Sequence, residues 1–242
     1  MEKKLVKRNL ILGILFFLPV IFLLFLYPAQ HHYNTLDIVN TNVEELNGFV
    51  SDTDEQIILQ DHITVLGFLG KHPMQNVMAA SNIKELVYDK FKGFKKFQVV
   101  IVVSEGTTDE VENLKKEINS YEDLKYWHFV FADNLGIQKL FSSLKSNGML
   151  DENLATDNIF IIDKGLSQRG RIDDRSDNEL TSKKPIYPLL CYNSIEVAEI
   201  KNKMSEDMRI LFTEYRQKRK GNFDSSTRRA NDLKGIHGEQ ED

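Results

Sequence analysis

Cysteine is almost missing from this sequence of 242 residues, which contains only Cys191. One thiol cannot form a disulfide within the chain, and it cannot supply a CxxC redox pair or a zinc site built from cysteines. We therefore expect Cys191 to be a small buried side chain. An intermolecular disulfide in an oxidising compartment is the open alternative for this residue.

A strong excess of charge of one sign is also missing. Lysine and arginine number 31 against 36 acidic residues, and the net charge of −5 gives no basic face for nucleic acid. The hydrophobic share of 41% is typical of a globular chain. No nucleophile elbow, P-loop or HExxH pattern occurs, so we expect a protein that is not an enzyme and has no cofactor.

One long hydrophobic run is present near the N-terminus. Residues 10–27 carry no charge, and a helix of that length spans roughly 27 Å, near the thickness of a hydrocarbon core. Four basic residues precede it: Lys3, Lys4, Lys7 and Arg8. The positive-inside rule predicts a single-pass membrane protein with residues 1–9 in the cytoplasm and the main domain outside, periplasmic in a bacterium. A cleaved signal peptide is the alternative, although the exit from the run lacks a small-x-small site.

The rest of the chain divides into three parts by composition. Residues 28–47 are predicted to be a linker, residues 48–215 a folded domain, and residues 216–242 a disordered polar tail. Buried strands are predicted over 63–69, 97–103, 127–131 and 158–163, and a short hairpin is predicted around SDTDEQ. Helices are predicted after each of the first three strands. Asp133-Asn134 is predicted to cap the third of these helices, and Asn193 is predicted to cap a last helix.

The predicted elements follow the order β-β-α-β-α-β-α-β-β-α. Strands that alternate with helices favour right-handed crossovers between parallel strands, and the closing hairpin adds antiparallel pairing. We therefore predict an α/β fold with a thioredoxin-like mixed sheet flanked by helices, attached to an N-terminal transmembrane helix.

Four segments, in order along the chain, resemble the Sco/SenC family, the membrane-anchored thioredoxin-fold copper chaperones of cytochrome c oxidase. They are VLGFLGKHPMQNVM, FQVVIVVSEGTTDEVENLKKE, YWHFVFADNLGIQKL and ATDNIFIIDKGLSQRGRIDD. The first stands where the family has a strand followed by FxxCPxxCPxM. The resemblance covers roughly residues 47 to 180 and implies a thioredoxin-like fold and a setting near respiratory oxidase assembly.

The residues that would carry copper in that family are replaced in this chain. The resemblance places the two cysteine positions on His72 and Asn76, and the histidine position on Ala155. Copper(I) is soft and prefers thiolates, and thiol exchange needs one sulfur to attack and another to resolve. We therefore expect a degenerate site without copper or another metal, and without catalytic residues.

Three hypotheses for function follow from these observations. The first is a Sco-like accessory protein that acts by binding partners, such as respiratory oxidase subunits or an intact Sco protein. The second is a metal-binding or redox protein whose site uses His72, together with one or more of His31, His32, His62 and His128. The third is a structural envelope domain unrelated to respiration. The sequence does not name the partner, the oligomeric state or the role of the tail.

Overall fold

The computed structural model describes residues 11–22, 35–53, 55–119 and 124–220. The chain forms two compact units, Met1–Asn34 and Thr35–Asp242. In the first unit, residues 11–22 form helix α1. Among the described residues, no helix combines the length and the apolar character that a membrane crossing requires. The predicted run over residues 10–27 lies partly outside the described residues.

The second unit is built around a mixed sheet of eight strands within the described residues. The strands are β1 (Asp37–Asn40), β2 (Val50–Ser51), β3 (Ile63–Gly70), β4 (Phe97–Ser104), β5 (Trp127–Ala132), β6 (Ala155–Ile162), β7 (Gln168–Gly170) and β8 (Tyr192–Asn193). Their order is β1-β7-β6-β3-β4-β5-β2, and β8 pairs with β6. β3, β4 and β5 are parallel, whereas β6 runs antiparallel to β3. This is the thioredoxin-like arrangement predicted from the sequence.

Helices cover both faces of the sheet. They are α2 (Val77–Ile83), α3 (Asp89–Phe91), α4 (Thr108–Ile118), α5 (Asn134–Ser142), α6 (Asp177–Thr181), α7 (Val197–Glu199) and α8 (Ser205–Lys220). Single π-helical turns join α2 to α3 and α7 to α8. α2, α4 and α8 contribute to the core on one face, and α5 contributes to the core on the other. Every residue of β3 and β4 is buried, as their almost continuous apolar runs predicted.

Three local predictions were wrong. The linker predicted over residues 28–47 includes β1, because Asp37–Asn40 finds a partner in β7. The described residues on either side of SDTDEQ do not form the predicted hairpin, because Val50 and Ser51 pair with β5 instead. The last helix is not capped by Asn193: Glu196 is the N-cap of α7, and α8 continues to Lys220, five residues past the predicted domain end at 215. The first two errors concern short strands whose partners are distant in sequence.

Candidate functional site

The structure places the three predicted positions at one end of the sheet. His72 follows the carboxyl end of β3, and Asn76 ends the 3₁₀ turn Pro73–Asn76 that leads into α2. Ala155 is the first residue of β6, where it pairs with Leu69 of β3. The loop after β3 and the start of β6 therefore form one surface, which we call the β3–β6 end.

The backbone of the β3–β6 end is fixed by close contacts. Gly70 has a φ of 61°, and a Cβ atom there would lie 2.0 Å from the carbonyl oxygen of Asn153. The next amide, that of Lys71, donates to the same oxygen at 2.8 Å, and Lys71 Nζ donates to the carbonyl oxygen of Glu152 at 3.1 Å. The loop that carries His72 is thus attached to the segment before β6.

His72 lies on the surface beside an acidic side chain of α4. Its Nδ1 is 3.5 Å from Glu110 Oε1, and the two side chains are 46% and 38% exposed. The other Glu110 oxygen accepts from the Met74 amide at 3.3 Å. Glu110 therefore links α4 to the loop, and its contact with His72 is at the outer limit of a hydrogen bond.

Asn76 and Ala155 have structural contacts with the chain itself. Asn76 Nδ2 donates to the carbonyl oxygens of Leu69 at 3.3 Å and His72 at 3.5 Å. Ala155 is buried, and its amide donates to Asp151 Oδ1 at 2.8 Å. An amide nitrogen that donates and a methyl group are not ligands for a soft metal.

Cys191 lies in the hydrophobic core on the α5 face, between β7 and β8, and not in the β3–β6 end. Its Sγ is 3.9 Å from Ser146 Oγ. Burial raises the pKa of this thiol above its ordinary value, which keeps it protonated and poorly nucleophilic. Its burial agrees with the sequence prediction.

The other described histidines do not join His72. His62 precedes β3, at the opposite end of a strand whose seven steps span about 23 Å. His128 pairs with Val100, which in turn pairs with Leu66, so it lies about 13 Å along the strands from Gly70. Burial lowers the pKa of both imidazoles, which are therefore neutral at pH 7. His31 and His32 lie outside the described residues.

The described part of the chain contains no group of three or more His, Cys, Asp or Glu side chains placed to hold a metal ion.

A second feature was missed at the level of sequence. A crevice of about 400 Å³, which we call the β4–β5 crevice, opens where those two parallel strands end. It is lined by Ser104, Glu105, Ala132, Asp133, Asn134 and Leu135. Polar residues directly after two buried parallel strands are the signal that would have pointed to it. Asp133 also caps α5 as predicted, since its Oδ1 accepts from the Gly136 amide at 2.7 Å.

No protein-family model matches this chain, and no curated protein matches it significantly. Solved structures do resemble it. A SCO1/SenC family lipoprotein from Bacillus anthracis is 16% identical, with 71% of this chain and 94% of the other covered at a TM-score of 0.44. BsSco, described as a Sco-family cytochrome c oxidase assembly protein with a disulfide switch, is 14% identical, with 75% and 99% covered at 0.47.

A third similar structure is Arabidopsis thaliana ScoI with copper bound, at 11% identity. It covers 66% of this chain and 94% of its own, with a TM-score of 0.40. The Sco/SenC resemblance predicted from the sequence is thus found again among solved structures, as a likeness of fold at low identity.

Proposed function

We propose that this chain is a membrane-anchored, extracytoplasmic accessory protein of respiratory oxidase assembly that acts by binding partner proteins. It has no copper site and no dithiol of its own in this proposal, and it is not an enzyme. Its partners are oxidase subunits or an intact Sco protein, and the β3–β6 end is the surface that binds them.

One observation carries the proposal. At the β3–β6 end, the positions that the Sco resemblance assigns to copper ligands hold an exposed imidazole, a structural amide and a buried methyl group. The amide of Asn76 stabilises the loop by bonding to two carbonyl oxygens, so the loop keeps its shape without a metal. A fold kept in this form retains a shaped surface, and the three assigned positions supply no thiol for exchange.

Exposed apolar side chains accompany this end of the sheet. Met78 at the start of α2 is 62% exposed, Met149 in the segment before β6 is 85% exposed, and Leu135 at the start of α5 is 75% exposed. Large apolar side chains that remain in water next to ordered polar loops are typical of protein-binding surfaces, and methionine adapts well to a partner.

Copper titration of the full chain in detergent tests the metal-free part of the proposal. We expect no stoichiometric copper(I) binding with sub-micromolar affinity, in the wild type or in His72→Ala. His62→Ala is the matched control, because it removes a histidine at the other end of β3. Tight stoichiometric binding that disappears in His72→Ala and persists in His62→Ala would contradict the proposal and favour the histidine-site hypothesis.

Oxidase assembly in cells tests the partner-binding part. We expect the amount of assembled oxidase to fall when the gene is deleted, and also when it is replaced by a gene that encodes the Met149→Asp variant. Ile186→Asp is the control, since Ile186 is 64% exposed and lies outside the β3–β6 end. Circular dichroism should show that both variants fold. Unchanged assembly of the copper centres in the deletion strain would remove the respiratory link and favour a structural envelope domain.

A further inference from the structure

The β4–β5 crevice arises from the direction of two chain connections. After β4 the chain enters α4, whose Val111 and Leu114 pack in the core on one face of the sheet. After β5 it enters α5, whose Ile137 and Leu140 pack in the core on the other face. Connections that leave neighbouring parallel strands toward opposite faces open a crevice at the carboxyl ends of the strands, which is where α/β sheets bind ligands.

A buried hydroxyl without a partner lies in this crevice. Ser104 is 6% exposed, and its Oγ has no hydrogen-bond partner among the residues that the structure describes. It alternates with Val100 and Val102, which face the α5 side, so its hydroxyl points to that side as well. Buried hydroxyls in folded proteins are normally paired, and the hydrogen-bonding capacity of this one is unused among the described residues.

The charges around the crevice determine which kind of ligand group it can bind. Glu105 and Asp133 both line it, and one oxygen of Asp133 is already used by the Gly136 amide. The surrounding loops, residues 71–76, 104–110, 132–135 and 150–155, contain six carboxylates and one lysine. That lysine, Lys71, donates to the Glu152 carbonyl oxygen. The two carboxylates oppose an anion at the start of α5 and attract a cation.

We propose that the β4–β5 crevice binds the cationic side chain of an arginine or lysine from the partner protein. The cation donates to Ser104 Oγ and to the Glu105 carboxylate, and Leu135, which is 75% exposed, packs against its methylene stem. The inference rests on the proposed function and adds the chemistry of the partner, which presents a basic residue to this end of the sheet.

Methyl NMR of the full chain in detergent, with labelled alanine and leucine methyl groups, tests the inference. The probe is N-acetyl-argininamide, and N-acetyl-citrullinamide is its neutral isostere. We expect saturable shifts of the Ala132 and Leu135 methyl signals with the arginine probe, and binding about tenfold weaker with the citrulline probe. Ser104→Ala and Glu105→Gln should each weaken arginine binding several-fold, whereas Glu112→Gln on the exposed side of α4 should not change it.

Three results would overturn the inference: no saturation, equal binding of both probes, or stronger shifts with acetate than with the arginine probe. These results separate it from the proposed function. If Met149→Asp lowers oxidase assembly while the arginine probe does not bind, the inference fails and the proposed function stands. If the probe binds while deleting the gene leaves oxidase assembly unchanged, the crevice is a cation site and the proposed function fails.

Discussion

Arg169 of β7 is the largest fully buried side chain of the described residues, at 1% exposure. Its Nη1 donates to Asp163 Oδ2 at 2.9 Å, and its Nη2 donates to Glu214 Oε2 at 2.5 Å and to the Leu36 carbonyl oxygen at 2.7 Å. One side chain therefore connects the segment before β1, the turn after β6 and the last helix. The guanidinium balances the charge of the buried Asp163, and it shares that of the buried Glu214 with Lys218, whose Nζ is 2.6 Å from Glu214 Oε1.

We expect Arg169→Met to lower the free energy of unfolding by about 3–5 kcal/mol, because it removes the cation that the buried Asp163 pairs with and leaves the buried Glu214 with only the partly exposed Lys218. Urea unfolding followed by circular dichroism measures the change. Lys139→Met is the control: the Lys139–Glu44 pair is largely exposed, so its loss should cost no more than about 1 kcal/mol. Equal losses of unfolding free energy in both variants would show that the buried cluster contributes no more to stability than the exposed pair does.

Two partly buried histidines, His62 and His128, predict how stability depends on pH. Burial lowers the pKa of His62 and His128 below the value of 6.5 that they have in the unfolded chain. The unfolded state therefore binds more protons, so their contribution to stability is present above that value and is lost as pH falls through the lower folded values.

We expect the free energy of unfolding to fall between about pH 7.5 and about pH 5, and to fall less steeply in a His62→Gln, His128→Gln double variant. Denaturant titrations at several pH values give the slope. The single variants His62→Gln and His128→Gln each remove one of the two imidazoles and should give intermediate slopes. A double variant with the wild-type slope would contradict the assignment.

Individual residues were predictable from the sequence where local chemistry decides their role. His72, Asn76 and Ala155 were selected by the Sco/SenC resemblance, and the Asp133 cap followed from its place before an apolar stripe. The buried hydrogen-bond and ion-pair cluster around Arg169 was not predictable, because its partners Leu36 and Glu214 are 133 and 45 residues away along the chain. Ser104 was not predictable either, because only the three-dimensional structure shows that its buried hydroxyl has no hydrogen-bond partner among the described residues.

At the scale of elements, Gly70 allows the end of β3 to lie in close contact with the segment before β6. Its positive φ and the Asn153 carbonyl oxygen leave no room for a side chain, and Lys71 then bonds to that same oxygen. The end of β3 and the start of β6 are therefore held together by a contact that only glycine permits. The geometry of the candidate surface depends on this contact.

We expect Gly70→Ala to destabilise the domain by about 2 kcal/mol or more, through strain and displacement of the segment before β6. Thermal unfolding measures the effect, and hydrogen exchange should show lower protection at Lys71 and Ala155. Gly93→Ala is the matched control, because a Cβ atom at Gly93 would meet nothing within 4 Å. A neutral Gly70→Ala variant would mean that the loop can move away without cost.

The buried elements were the predictable ones. β3 and β4 are long apolar runs, and α4 has a clear stripe formed by Val111, Leu114 and Ile118, so their local patterns determined them. β1 and β2 have four and two residues, and each is a strand only because a distant strand lies beside it. Local periodicity cannot show such pairing, and the predicted linker and hairpin failed for this reason.

At the scale of the whole molecule, the scarcity of cysteine and the charge asymmetry of the N-terminus lead to one expectation. The folded unit can be made outside the cytoplasm without oxidative folding, because its only thiol, Cys191, is buried in the core. The four basic residues before the hydrophobic run are predicted to orient that run with its start in the cytoplasm. Together these features predict an anchored domain that keeps a free thiol in an oxidising compartment.

A fusion of alkaline phosphatase after the last residue tests this topology, since that enzyme is active only when exported. We expect high phosphatase activity in the membrane fraction of a bacterial host. Mass spectrometry should show that the active fusion protein keeps its N-terminus. Replacing Lys3, Lys4, Lys7 and Arg8 with glutamine should lower the exported fraction, because the orienting charge is lost. A control with glutamine at Lys71, Lys84, Lys90 and Lys92 removes the same charge from the folded unit and should leave export unchanged. Exported activity in a soluble, shortened chain would show cleavage, and the anchor would be a signal peptide.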